Sequence, residues 1–346
     1  MEQTLFSAVE SHPQTSDSDS DNPAPRILVV GVGGAGCNTI NRLIRGGVSG
    51  ENLIAINTDK KHLNIVSPQA RRILIGASIT RGLGAGGFPQ IARKSAEVSR
   101  GELSKAIEGT DLIFITAGMG GGTGTGAAPI IADIAKEQGA LVVSLVTYPF
   151  KLERARLKKA QEGIEELKRS SDTLVLIDNN RLLEYAPNLP IERSFEIIDE
   201  ITSRAVRGIT DTICKPSLLN LDFADVRSVM QGGGVSMIAV GEGAGVERVN
   251  DVVKNTMHHR FLDVDYEGAK GALLHLTGGP ELTIGEVNEV GERFTEAVDR
   301  NANVVLGARH DPSFSAKIEA ITIFTGIKSD YILGGERKEG GEIIRI

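Results

Sequence analysis

The chain reads as an α/β protein: a doubly wound parallel sheet joined by a long central helix to a smaller α/β unit with a mixed sheet. Three observations predict this. Short, nearly continuous apolar runs recur from Arg26 onward, helical patterns fill several of the gaps between them, and an amphipathic segment from Ile191 to Cys214 precedes a second set of strands and helices. Continuous apolar runs suit strands buried on both faces, and alternation of β with α is the signature of a doubly wound domain.

Taken in order, the first strands are Ile27–Val30, Leu53–Ile56, Ile73–Ile75, Leu112–Ile115, Leu141–Val146 and Leu174–Ile177. Helical periodicity covers Cys37 to Arg45, Ile91 to Ile107, Ala127 to Gln138 and Glu153 to Lys168. Pro190 opens the long segment and Lys215-Pro216 closes it. A helix of about 24 residues at ~1.5 Å per residue is roughly 36 Å long, enough to run along one domain and lead into the next. Beyond it, helical patterns at Val246 to His258 and Ile284 to Asp299 sit among strands Val235–Val240, Ala272–Leu276, Val304–Ala308 and Ile318–Phe324. The last three strands have few helices between them, which predicts the mixed sheet. The expected organisation is an acidic tail over 1–25, a nucleotide-binding domain over 26–190, the central helix over 191–215, a C-terminal domain over 216–331 and a flexible tail over 332–346.

Composition excludes several functional classes. The 346 residues are 24% charged and 40% hydrophobic, those of an ordinary soluble protein with length for two domains. Net charge is −7, which argues against a nucleic-acid-coating role. Two cysteines exclude a disulfide framework and a four-Cys metal site, and suggest a reducing compartment. No apolar run approaches the ~20 residues of a membrane span, and no signal-peptide pattern opens the chain. The 1–25 tail carries Glu2, Glu10, Asp17, Asp19 and Asp21 with no Lys or Arg, and reads as disordered. The apolar end Ile343-Ile344-Arg345-Ile346 reads either as a docking peptide or as a plain terminus.

Against this background, 41 glycines stand out, and three clusters hold many of them. Gly31-Val-Gly-Gly-Ala-Gly-Cys-Asn38 follows the first strand and opens a helix. Glycines there let backbone approach phosphate, and free N–H groups at a helix start face an anion. The same pattern is a dinucleotide fingerprint, and Asp59, at the end of the second strand, suits the acid expected about 20 residues on. A second loop, Gly118-Met-Gly-Gly-Gly-Thr-Gly-Thr-Gly126, shifts the balance, because a dinucleotide does not need it and a nucleoside triphosphate does. Thr123 and Thr125 add hydroxyls for phosphate or a Mg²⁺-bound water. Gly82-Leu-Gly-Ala-Gly-Gly87 is a third cluster; it contains no acid, which suits a place close to a γ-phosphate. There is no Gly-x-x-x-x-Gly-Lys-Ser/Thr, so phosphate charge must be met by backbone N–H groups and a metal.

The run Gly120-Gly-Gly-Thr-Gly-Thr-Gly126 resembles the tubulin signature. With Gly31–Asn38 ahead of it and Asn220-Leu-Asp-Phe-Ala-Asp225 behind it, the chain resembles FtsZ, the prokaryotic tubulin relatives, over about residues 26–331. The short tail after about 331 looks closer to archaeal members than to bacterial ones. The resemblance implies a tubulin/FtsZ-like fold and a self-activated GTPase that binds GTP or GDP, with Mg²⁺ held mainly through phosphates and water rather than by protein ligands. It assigns nucleotide contacts to Gly33, Gly34, Ala35, Gly36, Cys37 and Asn38, to Gly84, Ala85 and Gly86, and to Gly120, Gly121, Gly122, Thr123, Gly124 and Thr125. Phe195 would stack on the guanine, and Asp199, four residues on and so on the same helix face, would accept from N1–H and the 2-amino group. Glu153 matches the family's ribose-binding Glu, and Asn179 the Asn that contacts the base. Arg156 is the favoured match to the family Arg, with Arg154 as the alternative. Asn180 stands where the family usually has Asp.

Asn220, Asp222 and Asp225 lie just past the long helix, far from their own nucleotide. The resemblance makes them the catalytic set for a neighbour in a head-to-tail filament, with the aspartates polarising the attacking water. Asp222 or Asp225 is also expected to start a helix over Val226–Gln231. The implied role is a cytoplasmic filament of the midcell division ring. Its partners are itself, a separate membrane-tether protein and division regulators, with no nucleic acid and no direct membrane insertion. Two other readings compete: an NAD-dependent oxidoreductase built on Gly31–Gly36 and Asp59, and a non-polymerising nucleotide-binding regulator. His258-His259 reads as a surface or helix-end pair rather than a metal site, and Cys37 as a small packing residue.

Overall fold

The computed structural model describes residues 24–180, 188–214, 219, 221–257, 268–296 and 298–327. Asn220, the His258-His259 pair and both expected tails (apart from residues 24 and 25) lie outside the described residues.

Strands β1 (Ile27–Val32), β2 (Leu53–Asn57), β3 (Arg71–Leu74), β4 (Leu112–Gly118), β5 (Leu141–Tyr148) and β6 (Thr173–Asp178) form the parallel part of the sheet, in the order β3-β2-β1-β4-β5-β6. Every residue of β1 is buried, as its unbroken apolar run requires. Alternate residues serve opposite faces. Leu28, Val30 and Val32 join one core, Ile27 and Val29 the other. The first face is covered by α4 (Pro89–Val98), α5 (Arg100–Ile107), α6 (Thr123–Glu137) and α7 (Arg154–Ser170). The second is covered by α1 (Gly33–Arg45) and α8 (Ile191–Cys214). Short helices α2 (Lys60–Ile65) and α3 (Ala77–Thr80) flank β3.

The chain continues through α9 (Phe223–Met230), β7 (Gly234–Ala244), α10 (Arg248–Met257), β8 (Gly271–Gly278), α11 (Ile284–Thr295), β9 (Asn303–His310) and β10 (Lys317–Thr325). The C-terminal strands are ordered β7-β10-β8-β9; β10 runs antiparallel to both neighbours and β9 parallel to β8, so this sheet is mixed. The two sheets are not separate. Thr173–Val175 of β6 pair in parallel with Gly234–Ser236 of β7, giving one ten-stranded sheet. The α8 core is shared in the same way: Ala205, Val206 and Ile209 pack with Ile27 and Val29 from one half and with Ile238, Leu273 and Ile323 from the other. Arg204 of α8 pairs with Glu242 of β7 and with Glu319 of β10, and Asp211 lies 3.9 Å from Arg309 of β9.

Several element boundaries differ from expectation: α1 begins at Gly33 rather than Cys37 and α9 covers Phe223–Met230 rather than Val226–Gln231, and two further differences have a visible cause or consequence. The single pattern Ile91–Ile107 is two helices, broken at Ser99, whose hydroxyl accepts the Gly76 N–H at 3.0 Å. That side chain–backbone bond competes with helix continuation. Helix α6 begins at Thr123 rather than Ala127, so the Thr-Gly-Thr-Gly of the second loop is itself the first helical turn.

Candidate nucleotide-binding site

The first two glycine loops follow adjacent strands. Val32 of β1 is in register with Ala117 of β4, and β1 is flanked on its other side by β2, so the loops leave the sheet at the point where strand order reverses. Open α/β sheets bind ligands in that crevice. Helices α1 and α6 both start here, and neither has a side-chain cap or an acidic residue in its first turn. Side-chain caps are present on α2 (Asp59), α9 (Asp222) and α11 (Thr283), while α3, α4, α5 and α7 also start without one; what sets α1 and α6 apart is that their bare starts follow adjacent strands. Two bare, positively polarised helix ends side by side are an anion site.

The three glycine segments touch one another. A Cβ placed on Gly33, whose φ is +74°, would lie 2.9 Å from the Gly124 nitrogen, and one on Gly122 would lie 2.9 Å from the Ala85 Cβ. The glycines divide by task. Gly36 and Gly124 admit close backbone packing, since a Cβ would collide with the Thr116 and Gly118 carbonyls respectively. Gly120 is packed by Pro149 and by the Arg156 Cβ. Gly121 has open space where its side chain would be, while Gly34, Ala35, Asn38 and Gly86 are exposed and Gly84 is half-buried beside Asp59.

Several expected contacts have internal jobs here. Thr125 is 2% exposed, and its hydroxyl accepts the Gly120 N–H at 2.9 Å, so it shapes the loop instead of facing outward. Ala85 is buried against Gly122. Cys37 is fully buried; burial pushes its thiol up to about 12, partly offset by the Asn57 amide 3.7 Å away, which leaves an inert packing residue. Thr123 remains half-buried, its hydroxyl 2.7 Å from that of Thr58. Sequence reasoning had no periodic signal for Thr58, which ties the end of β2 to the start of α6.

At the far end of the crevice Asp199 reaches α1, where Thr39 donates to its Oδ1 at 3.2 Å. Burial raises this carboxyl to about 6, against the opposing effects of Arg42 and the Thr39 hydrogen bond. Phe195, 44% exposed, meets Phe150 edge-to-face at 6.0 Å between centroids. Phe150 was not anticipated. It is held by Asn180, which accepts from the Lys151 N–H at 2.8 Å and donates to the Pro149 carbonyl at 3.3 Å. The unusual Asn thus anchors this turn. Asn179 beside it is buried with Oδ1 unpartnered, an acceptor awaiting a donor. Glu153 accepts from the Phe150 N–H at 3.1 Å and pairs with Arg156 at 2.6 Å. Both arginines are exposed, but the Arg156 Cβ packs on Gly120 of the second loop, whereas Arg154 is the first residue of α7.

Asp222 and Asp225 sit apart from all of this, past the C-terminal end of α8. They form a reciprocal capping box on α9: Asp222 Oδ1 accepts from the Asp225 N–H at 2.7 Å, and Asp225 Oδ2 from the Asp222 N–H at 3.1 Å. Each carboxylate therefore spends one oxygen and keeps the other. Asp59 is also a cap, accepting from the Lys61 and His62 N–H groups at 2.8 and 3.2 Å. Both bonds fall on Oδ1, so the acid of the dinucleotide pattern has a structural role of its own at the start of α2.

The profile of the Tubulin/FtsZ family GTPase domain matches residues 26–187, and that of the FtsZ family C-terminal domain matches residues 234–328. The cell division protein FtsZ 2 of Methanocaldococcus jannaschii is 56% identical over 316 residues, spanning 90% of this chain and 83% of that protein. The chain belongs to the FtsZ family. FtsZ 2 of Haloferax volcanii is 49% identical, over 92% of this chain and 79% of its own. A solved M. jannaschii structure, described as an empty FtsZ dimer, superposes with a TM-score of 0.84 at 40% identity, covering 100% of this chain and 98% of that one. CetZ1 of Haloferax volcanii, at 22% identity and a TM-score of 0.78, shares the fold. As an FtsZ, the chain is a tubulin-like GTPase of cell division, which binds GTP and GDP.

Proposed function

We propose that GTP lies across the starts of α1 and α6, and that its hydrolysis is completed by the next subunit of a head-to-tail filament. The observation that carries this is the pair of uncapped helix starts on adjacent strands, with the aspartates of the capping box a whole helix away. Backbone N–H groups of the Gly33–Gly36 and Gly121–Thr123 segments hold the phosphates, the Gly120 N–H being taken by the Thr125 hydroxyl. The guanine enters between Phe195, Asp199 and Asn179, whose unpartnered Oδ1 takes a base N–H. Ionised Asp199 accepts from N1–H and the 2-amino group together, a pair of donors that adenine lacks. Mg²⁺, when bound through the phosphates and water, neutralises charge that no loop lysine meets.

In this reading Asp222 and Asp225 of one subunit, with Asn220, face the γ-phosphate bound by its neighbour. Their unspent oxygens orient and polarise the attacking water. Assembly switches hydrolysis on, and loss of the γ-phosphate loosens the contact. A heterologous contact that does not close gives a filament. Its setting is the cytoplasm at the midcell division ring, reached through a separate tether protein; no described helix is long and apolar enough to cross a membrane.

The test is GTP turnover per subunit against protein concentration, with Mg²⁺ present. A rate near zero that rises above a threshold is the expected result. A rate independent of concentration in a preparation shown by sedimentation to be monomeric would refute the shared site.

A further inference from the structure

Beside the phosphate loops stands a side chain that the glycine motifs do not include. His62 lies in α2, half-buried, with its ring against the open side of Gly34: a Cβ built on Gly34 would lie 3.8 Å from His62 Cε1 and 3.9 Å from Nε2. Among the described residues, no other side chain approaches that side of Gly34 within 4 Å. The ring is held from behind. Asn57 Oδ1 accepts from the Asp59 N–H at 3.1 Å, which fixes the orientation of the Asn57 amide. Its Nδ2 must then be the donor to His62 Nδ1, 3.4 Å away. An Nδ1 that accepts leaves the ring proton of neutral imidazole on Nε2, the atom turned toward the first phosphate loop.

The placement of α2 says which phosphate this donor serves. Its start is clamped to the third glycine segment: Lys60 N–H donates to the Gly82 carbonyl at 2.9 Å, Gly84 N–H to the Thr58 carbonyl at 3.1 Å, and Asp59 lies beside Gly84. Thr58 in turn touches Thr123 of the second loop. His62 therefore stands between the first loop and the third segment, on the side of the site that a diphosphate held by the first two loops leaves unfilled.

We propose that His62 is a γ-phosphate-sensing residue, its Nε2–H donating to an oxygen of the terminal phosphate and thereby setting the preference for GTP over GDP. The inference rests on the nucleotide placement given above. In a site whose charge is met by backbone N–H groups, one side-chain donor confined to the terminal phosphate discriminates tri- from diphosphate without strengthening binding of both. Held by Asn57 rather than by the ligand, the ring is oriented before the nucleotide arrives, so Asn57 is its positioning residue.

The experiment measures dissociation constants for GDP and for a non-hydrolysable GTP analogue on wild-type, His62→Ala and His62→Gln proteins, below the assembly threshold and with Mg²⁺ fixed. The expected result is that His62→Ala weakens the analogue about tenfold, the size of one charge-assisted hydrogen bond, and leaves GDP within about twofold. His62→Gln, which restores an N–H donor, recovers most of the loss. An unchanged analogue-to-GDP ratio in His62→Ala overturns the proposal, as does equal weakening of both nucleotides. If wild-type protein binds neither nucleotide, the placement of GTP itself has failed, and the two failures are thus distinguishable. Asn57→Ala supplies a second readout: weaker analogue binding with GDP unchanged is expected, and an unchanged ratio there removes Asn57 from the arrangement.

Discussion

Replacing Asp222 by serine separates its capping of α9 from the catalytic role proposed for the same carboxylate. As N-cap of α9 it accepts the Asp225 N–H at 2.7 Å. Serine caps a helix about as well as aspartate, so Asp222→Ser should leave stability within a few tenths of a kcal/mol, whereas Asp222→Ala should cost ~1 kcal/mol. Even that larger cost cannot empty the folded state of a domain stable by ~5–15 kcal/mol. Loss of a group that polarises the attacking water is a different magnitude: ~10²–10⁴-fold in rate, or roughly 3–5.5 kcal/mol on the barrier at ~1.4 kcal/mol per decade. Both variants should therefore bind GTP like wild type and lose turnover alike, while only the alanine variant unfolds earlier. The assay is phosphate release under assembly conditions, with sedimented polymer quantified in the same samples and denaturant unfolding run alongside. Turnover of Asp222→Ser within threefold of wild type, in protein shown to be polymerised, would refute the catalytic role. The capping box would then be the whole explanation for this residue.

Asp199 should make GTP binding pH-dependent. Its carboxyl is raised to about 6 by burial, and only the ionised form accepts from both guanine donors, so affinity should fall as pH drops through that value, by up to ~tenfold per unit. Linkage runs the other way for folding: between the ordinary carboxylate range and about 6 the native state holds the extra proton, so Asp199 contributes stability that is lost as pH rises through this window. Calorimetric titration with GDP at pH 5 and 7 checks the first part, and Asp199→Asn should flatten the profile. A complementation test addresses the shared site. Gly121 faces open space, so Gly121→Asp should fold normally and reject the triphosphate by charge, whereas aspartate at Gly122 would strike Ala85. Mixing Gly121→Asp with Asp225→Ser protein should restore part of the turnover that each lacks alone; no rescue in demonstrated copolymers would sink the cross-subunit arrangement.

Much of this molecule is legible in local pattern. The unbroken apolar runs at Ile27–Val30 and Leu112–Ile115 mark strands buried on both faces, and the Ile191–Cys214 helix has the bounds that Pro190 and Lys215-Pro216 suggest. The first two glycine loops fall where strands meet helices, whereas Gly82–Gly87 joins two helices, and Asp222 caps the helix that follows it. These features depend on residues within a turn or two of one another, so sequence alone determined them. What each loop residue faces was decided elsewhere. Gly121 is open and Gly124 is walled in by the Gly118 carbonyl; Thr125 turns inward to Gly120, whereas Thr123 meets Thr58, just past β2 and 65 residues earlier. The joining of two sheets through β6 and β7, the anchoring of Phe150 by Asn180, and the aim of His62 toward Gly34 are likewise contacts between separate segments. Identical glycines carry no local mark of whether backbone or ligand will fill the space beside them. Only packing the distant strands and helices around one crevice gives each of them a neighbour, and with it a role.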